Sequence, residues 1–258
     1  MRKNSASGYI AFAFGIGLAY VVLILALLWF FQADKFFEIF LSDRTLSALK
    51  LSFIGATLAA VISTLIAIPA AYAMSRYRFW FKGALDVLLE IPMIVSPAAL
   101  GAMILVFMST DYGAQFQSSF FQVVFSPVGI VVAQLVTVMG ISVRLIKAVI
   151  DEIPERYEQI SRTLGASQWQ SFVRVTLPLA FKGILASFIL AWAKAFGEFG
   201  ATITVAGAMP MKTETLPTSI FLRLSSADIE GTVVLILIII SIGVLALSTL
   251  RLVKKSSK

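Results

Sequence analysis

Residues 151–178 read DEIPERYEQISRTLGASQWQSFVRVTLP, a polar stretch set between two runs too apolar to lie in water. Its internal pattern predicts two short helices. Pro154 suits the first position of a helix, where a missing N–H costs nothing, and Glu155 and Glu158 would sit near the positive end of the helix dipole. Ile153, Tyr157, Ile160 and Leu164 recur at spacings of four, three and four, which gives that helix one apolar stripe. Gly165 stands where a left-handed residue would end it. Ser167 and Gln170 form the S-x-x-Q pattern of a capping box, opening a second helix with Trp169, Phe172 and Val173 on its apolar face. Pro178 is expected to stop this second helix near Thr176. On pattern alone the hairpin either lies in a headgroup layer or docks a soluble partner, and both readings stay open.

Outward from this hairpin the chain turns apolar in both directions. Runs at about 127–149 and 183–205 flank it, and four more lie at about 9–31, 46–72, 85–108 and 229–250. Each has the length of about twenty residues that a helix needs to cross a hydrocarbon core of about 30 Å. The expectation is an all-α polytopic membrane protein with six transmembrane helices in a single domain, residues 1–258. A first helix and external loop occupy 1–45, a core 46–250, and an inner loop 150–182. The run at 9–31 follows Arg2 and Lys3 as a secretory signal would, but it exceeds the roughly 7–15 apolar residues of a signal core and reads as an uncleaved helix. Pro69 predicts a kink in the second span. The third carries Pro92, Pro97 and Gly101, so an irregular helix facing the protein interior is expected, where freed backbone groups can be received.

Composition agrees. Of the 258 residues 59% are hydrophobic and 14% charged, against about 25% charged in soluble domains, which excludes a soluble enzyme. The absence of cysteine and histidine removes disulfide frameworks, thiolate chemistry, the usual zinc sites and histidine-based triads, and no metal ligands are expected. With the amino terminus inside, fifteen Lys and Arg fall in inner segments and only Lys35, Arg44, Lys212 and Arg223 in outer ones, so both termini are expected in the cytoplasm. The net charge of +7 is then mostly topology and contact with anionic lipid headgroups rather than nucleic-acid binding.

Glu158, Gly165 and Leu177-Pro178, with Val175 two residues before that leucine, resemble the EAA-loop signature of permease subunits in binding-protein-dependent ABC importers. Gln159 and Ile160 stand where that signature has two alanines, and Val175 where it has isoleucine. The resemblance implies the type I ABC importer permease fold in the cell membrane of a prokaryote. It also implies that Glu158, Gly165, Ala166, Val175, Leu177 and Pro178 belong to a coupling loop seated on a partner ATPase. The chain holds no G-x-x-x-x-G-K-[ST] loop, so ATP and Mg would be bound by that partner, with no cofactor in this chain.

Within the fifth span Lys194 and Glu198 lie four residues apart on one helix face, and mutual neutralisation is favoured over a substrate role. Around them the text GEFGAT at 197–202, then Ala206-Gly207 and TETLP at 213–217, resembles the molybdate permease branch, with sulfate permeases as near relatives. That resemblance implies a non-enzymatic subunit importing molybdate or tungstate, with sulfate as the alternative. It would work as a homodimer with two ATPase subunits and an external substrate-binding protein. Ser96, between the two prolines of the third span, and Thr202 and Thr204 are candidates for the anion path. A secondary transporter would need inverted repeats or an intramembrane ion relay, and only Lys194 and Glu198 offer one. A membrane enzyme would need convergent catalytic side chains.

Overall fold

The computed structural model describes residues 3–255, with side chains over residues 8–251, and among these every regular element is helical. In chain order they are α1 (Lys3–Leu27), α2 (Ala33–Phe40), α3 (Asp43–Arg76), α4 (Lys82–Ile94), α5 (Pro97–Met108), α6 (Asp111–Ser119), α7 (Pro127–Asp151), α8 (Arg156–Thr163), α9 (Gln168–Ser171), α10 (Leu177–Phe196), α11 (Gly200–Ala206), α12 (Leu216–Ser225) and α13 (Ile229–Lys255). Starts are set by short polar caps. Ser42, Ser96, Thr110 and Ser126 each accept a backbone N–H from three residues on, and Pro97 and Pro127 follow two of these caps at the first helical position.

Among the described residues, five helical segments are long and apolar enough to cross a membrane: Gly8–Phe30, Asp43–Arg76, Pro127–Asp151, Gln168–Phe196 and Ile229–Arg251. A sixth crossing is counted if Lys82–Ile94 and Pro97–Met108 form one span, although their axes differ by 113°. The expected third helix is therefore two helices, because Pro97 removes an N–H and Ser96 caps a fresh start. The helix at Pro69 continues to Arg76.

α3 and α7 form the most extensive pair, with α10 against both. Small residues make this possible. Ala48, Gly55, Ala56, Ala59, Ala60 and Ala67 form a buried stripe along α3, and Ser63 donates to Ser142 of α7 at 2.7 Å. Such stripes let helices approach closely where hydrophobic burial gives no preference for protein over lipid. α13 packs on α10 and α12, while α11 lies against α5 and α7. By contrast, none of the Gly8–Phe30 span is buried against the rest of the chain.

Candidate functional site

The 151–178 loop is attached to the end of α3 through two carboxylates, Asp151, which accepts from Ser75 Oγ at 2.5 Å, and the more deeply buried Glu158. Glu158, in the first turn of α8, is buried and takes three side-chain donors. Arg76 Nε reaches Oε1 at 2.9 Å, Thr176 Oγ1 reaches Oε1 at 2.7 Å, and Tyr72 Oη reaches Oε2 at 2.8 Å. Arg76 Nη2 also donates to the carbonyl of Ile153 at 2.7 Å, tying the other edge of the loop to the same helix end. Burial pushes the Glu158 carboxyl up, but the hydrogen bonds from Arg76, Thr176 and Tyr72 and the Arg76 charge outweigh it and hold it below the ordinary glutamate range. Tyr72 in turn packs against Phe172, with ring centroids 4.4 Å apart and the planes tilted by 48°, at the base of the second loop helix.

α8 ends as its sequence predicts. Gly165 has φ of +89°, its N–H donates to Arg162, and the N–H of Ala166 donates to Ser161, the paired bonds of a Schellman motif. The capping box is present: Gln170 N donates to Ser167 Oγ at 3.2 Å and Ser167 N to Gln170 Oε1 at 2.8 Å. Pro154 is not the first helical residue; it lies in the turn before α8, which starts at Arg156. Nor does Pro178 stop the second helix. α9 passes through a π turn, Phe172–Thr176, into α10, and Leu177 N donates back to Phe172. The wider turn moves the preceding carbonyls away from the proline ring, so the chain stays helical through Val175, Leu177 and Pro178 up to Phe196. Only Ile153 of the predicted apolar stripe is buried. Tyr157, Ile160, Leu164 (83% exposed) and Trp169 (70% exposed) are displayed outward.

The fifth span is broken where an unbroken helix was expected. α10 ends at Phe196, and Gly197, Glu198 and Phe199 separate it from α11. Lys194 and Glu198 are therefore not in mid-helix. Their charges lie 3.2 Å apart at the break, with the carboxylate 1% and the ammonium group's side chain 46% exposed. Glu198 Oε1 also accepts the Ala201 N–H at 3.2 Å, satisfying an orphan donor of α11. The two broken spans meet. A Cβ on Gly200 would lie 2.9 Å from Ala98 N, and one on Gly101 would lie 2.8 Å from Thr204 Cβ, so α5 and α11 cross nearly backbone to backbone. Of the three path candidates, Ser96 is exposed and caps α5, Thr202 is fully buried with an unpartnered hydroxyl, and Thr204 donates to the Gly200 carbonyl at 2.7 Å.

Sequence reading missed Tyr72, Arg76 and Thr176 as the partners of Glu158. It also gave Arg44 and Glu214 no partner, whereas Arg44, in the first turn of α3, forks onto a Glu214 that is 1% exposed. A glutamate flanked by threonines in a segment with no neighbouring charge but Lys212 was the available signal of burial.

The family described as binding-protein-dependent transport system inner membrane component matches residues 63–257 of this chain. The chain belongs to that family. Its fold is similar to that of a bacterial alginate ABC transporter, with a TM-score of 0.75 at 16% identity, covering 99% of this chain and 96% of that one. An amino acid ABC transporter gives a TM-score of 0.61 at 16% identity over 86% of this chain and 96% of that one. Among curated relatives, the sulfate transport system permease protein CysT of Escherichia coli (strain K12) is 29% identical, covering 84% of this chain and 79% of its own length. The sulfate transport system permease protein CysW of Synechocystis sp. is 34% identical, covering 78% and 77%. The molybdenum transport system permease protein ModB of Escherichia coli (strain K12) is 33% identical, covering 80% and 92%. As a member of this inner-membrane-component family the chain is a multi-pass transport subunit and not itself an ATPase.

Proposed function

We propose that this chain is the permease subunit of an ATP-driven importer for a tetrahedral oxyanion. Sulfate is the first substrate reading, because CysT, at 29% identity over 84% of this chain, and CysW, at 34% identity, are sulfate permeases. Molybdate or tungstate is the second, supported by the GEFGAT and TETLP segments and a molybdenum permease at 33% identity. This reverses the order given by the sequence motifs alone.

The observation that carries the coupling role is the loop itself: an outward apolar face of Tyr157, Ile160, Leu164 and Trp169 on a hairpin whose underside is fixed by Glu158. A face of this kind suits a groove in a soluble ATPase, and two such subunits would seat on two copies of the chain. An external binding protein delivers the anion. ATP-driven approach of the ATPases draws the loops together and turns the dimer outward to receive it. The path is assigned to the crossing of the two broken spans, where Thr202 and Thr204 and the capped end at Ser96 supply polar groups. Lys194 neutralises Glu198, so no bare carboxylate faces a passing anion. Uptake of radiolabelled sulfate and molybdate in cells lacking and then regaining the chain tests the reading. Restored uptake of one anion, competed by the other, is expected. Uptake of neither overturns it.

A further inference from the structure

α3 is gripped at both ends by carboxylates from distant parts of the chain. At one end Glu158 holds Arg76 and Tyr72. At the other, Arg44 Nε and Nη2 fork onto Glu214 at 2.9 and 2.8 Å, and Glu214 is almost wholly buried. Two turns further along α3, Ser52 Oγ accepts the N–H of Leu216 at 2.7 Å. The segment beyond Glu214 is buried without interruption to Ser219, and its turn is drawn tight by the Met209 carbonyl, which accepts the N–H groups of Lys212, Thr213 and Glu214. With 34 residues, α3 is about 50 Å long and reaches from one headgroup layer to the other.

α7 is joined to the loop covalently, but its opposite end meets the outer part of α11, through Phe125 N donating to the Val205 carbonyl. α10 continues from the loop as helix and shares an apolar cluster with Leu216, whereas α3 is clasped by an arginine–carboxylate pair to both the loop and the 209–219 segment. A forked arginine fixes direction as well as distance. Pulling a buried carboxylate from its arginine strands a charge, so each clasp resists separation more than apolar contact does. Between the clasps, the small-residue stripe on α3 packs tightly on α7, where a Cβ on Gly55 would lie 2.9 Å from Gln134 Oε1 and 3.0 Å from Ile130 Cγ2, and close-packed contacts of this kind transmit displacement rather than absorb it.

We infer that α3 is the connecting rod of the transporter, with Arg76 and Arg44 as positioning residues that make the 151–178 loop and the 209–219 segment move as one body with it. The inference rests on the permease reading and names how displacement of the loop reaches the opposite side.

The test uses the whole transporter, with its ATPase and binding protein, in proteoliposomes. Removing one partner strands the other, so each clasp is removed whole: Arg44→Met with Glu214→Leu, and Arg76→Met with Glu158→Leu. Complex yield, basal ATP hydrolysis and hydrolysis stimulated by the binding protein are read separately. The Arg44/Glu214 double variant should assemble and keep basal hydrolysis within about twofold while losing stimulation by at least about fivefold. A structural role alone would lower yield and leave the stimulation of the surviving complex unchanged, and that result overturns the inference. Distances measured by spin labels provide a test that needs no clasp variant. The chain has no cysteine of its own, so Asp43→Cys can be paired with Arg162→Cys or with Lys212→Cys. Both distances should stay constant between nucleotide-free and nucleotide-bound states. A change of more than about 5 Å, one helical turn, shows that the loop or the outer segment slides on α3 and ends the proposal. Failure of the wild-type complex to show stimulated hydrolysis would count against the permease reading instead, and the label distances would still judge the rod.

Discussion

Gly165 adopts φ of +89° with open space around the position a Cβ would take, so a side chain there meets no neighbour and only the backbone is strained. Gly165→Leu should cost about 1 kcal/mol or more and tilt the second half of the loop. Transport and stimulated ATP hydrolysis are expected to fall together while insertion survives; normal coupling in the purified variant would contradict the assignment. Glu158 gives a pH signature. Its carboxyl is held below the usual range, so the stability it contributes is complete above the unfolded value of about 4.3 and is lost as pH falls through the lower folded one. Hydrogen exchange over residues 153–176 should quicken only on strong acidification, and Glu158→Gln should flatten that dependence. Gly165 and the Ser167–Gln170 box were legible because a helix end is written in adjacent residues. The partners of Glu158 were not, because Arg76 lies 82 residues away and looks in sequence like any basic residue at a membrane edge.

The long apolar helices could be read from their length, and Pro92 and Pro97 marked the third span as irregular, whereas the break of the fifth span at residues 197–199 carried no such signal. Proline carried conflicting messages: at Pro97 it begins a new helix after a cap, at Pro69 it is carried within one, and at Pro178 a π turn carries the chain past it. Which outcome prevails depends on whether neighbours receive the freed carbonyls, and that is a tertiary fact. The Lys194–Glu198 pair was found as a spacing, but its asymmetry required the structure. Because the carboxylate is the buried member, Lys194→Met should strand it at a cost of about 1–3 kcal/mol. Glu198→Gln keeps an oxygen for the Ala201 N–H and leaves a half-exposed ammonium group, a milder loss. Complex yield should therefore fall further for Lys194→Met than for Glu198→Gln, and the double variant should recover it. Equal losses in the two single variants would refute this ranking. A double variant that assembles and fails to transport would place Lys194 on the anion path.

For the molecule as a whole, the uneven distribution of Lys and Arg predicts a cytoplasmic loop at 151–178, with residues 109–126 and 207–215 on the far side. Single cysteines at Ser118 and Met211 should react with an impermeant thiol reagent from outside intact cells, and one at Arg162 only after permeabilisation; the reverse pattern would invert the topology. The π turn at Phe172–Thr176 sets how the loop is phased against this bundle. A π turn holds one residue more than the same arc of α-helix, so it is equivalent to a single-residue insertion between loop and membrane span. Deleting Val173 would remove that extra residue and bring the α-helical carbonyl four residues back against the Pro178 ring, so the helix would kink between loop and membrane span. Glu158 could then no longer face Arg76. The shortened chain should still insert and span the membrane, yet lose its grip on the ATPase, as would follow if the extra residue is a spacer that sets the loop in register.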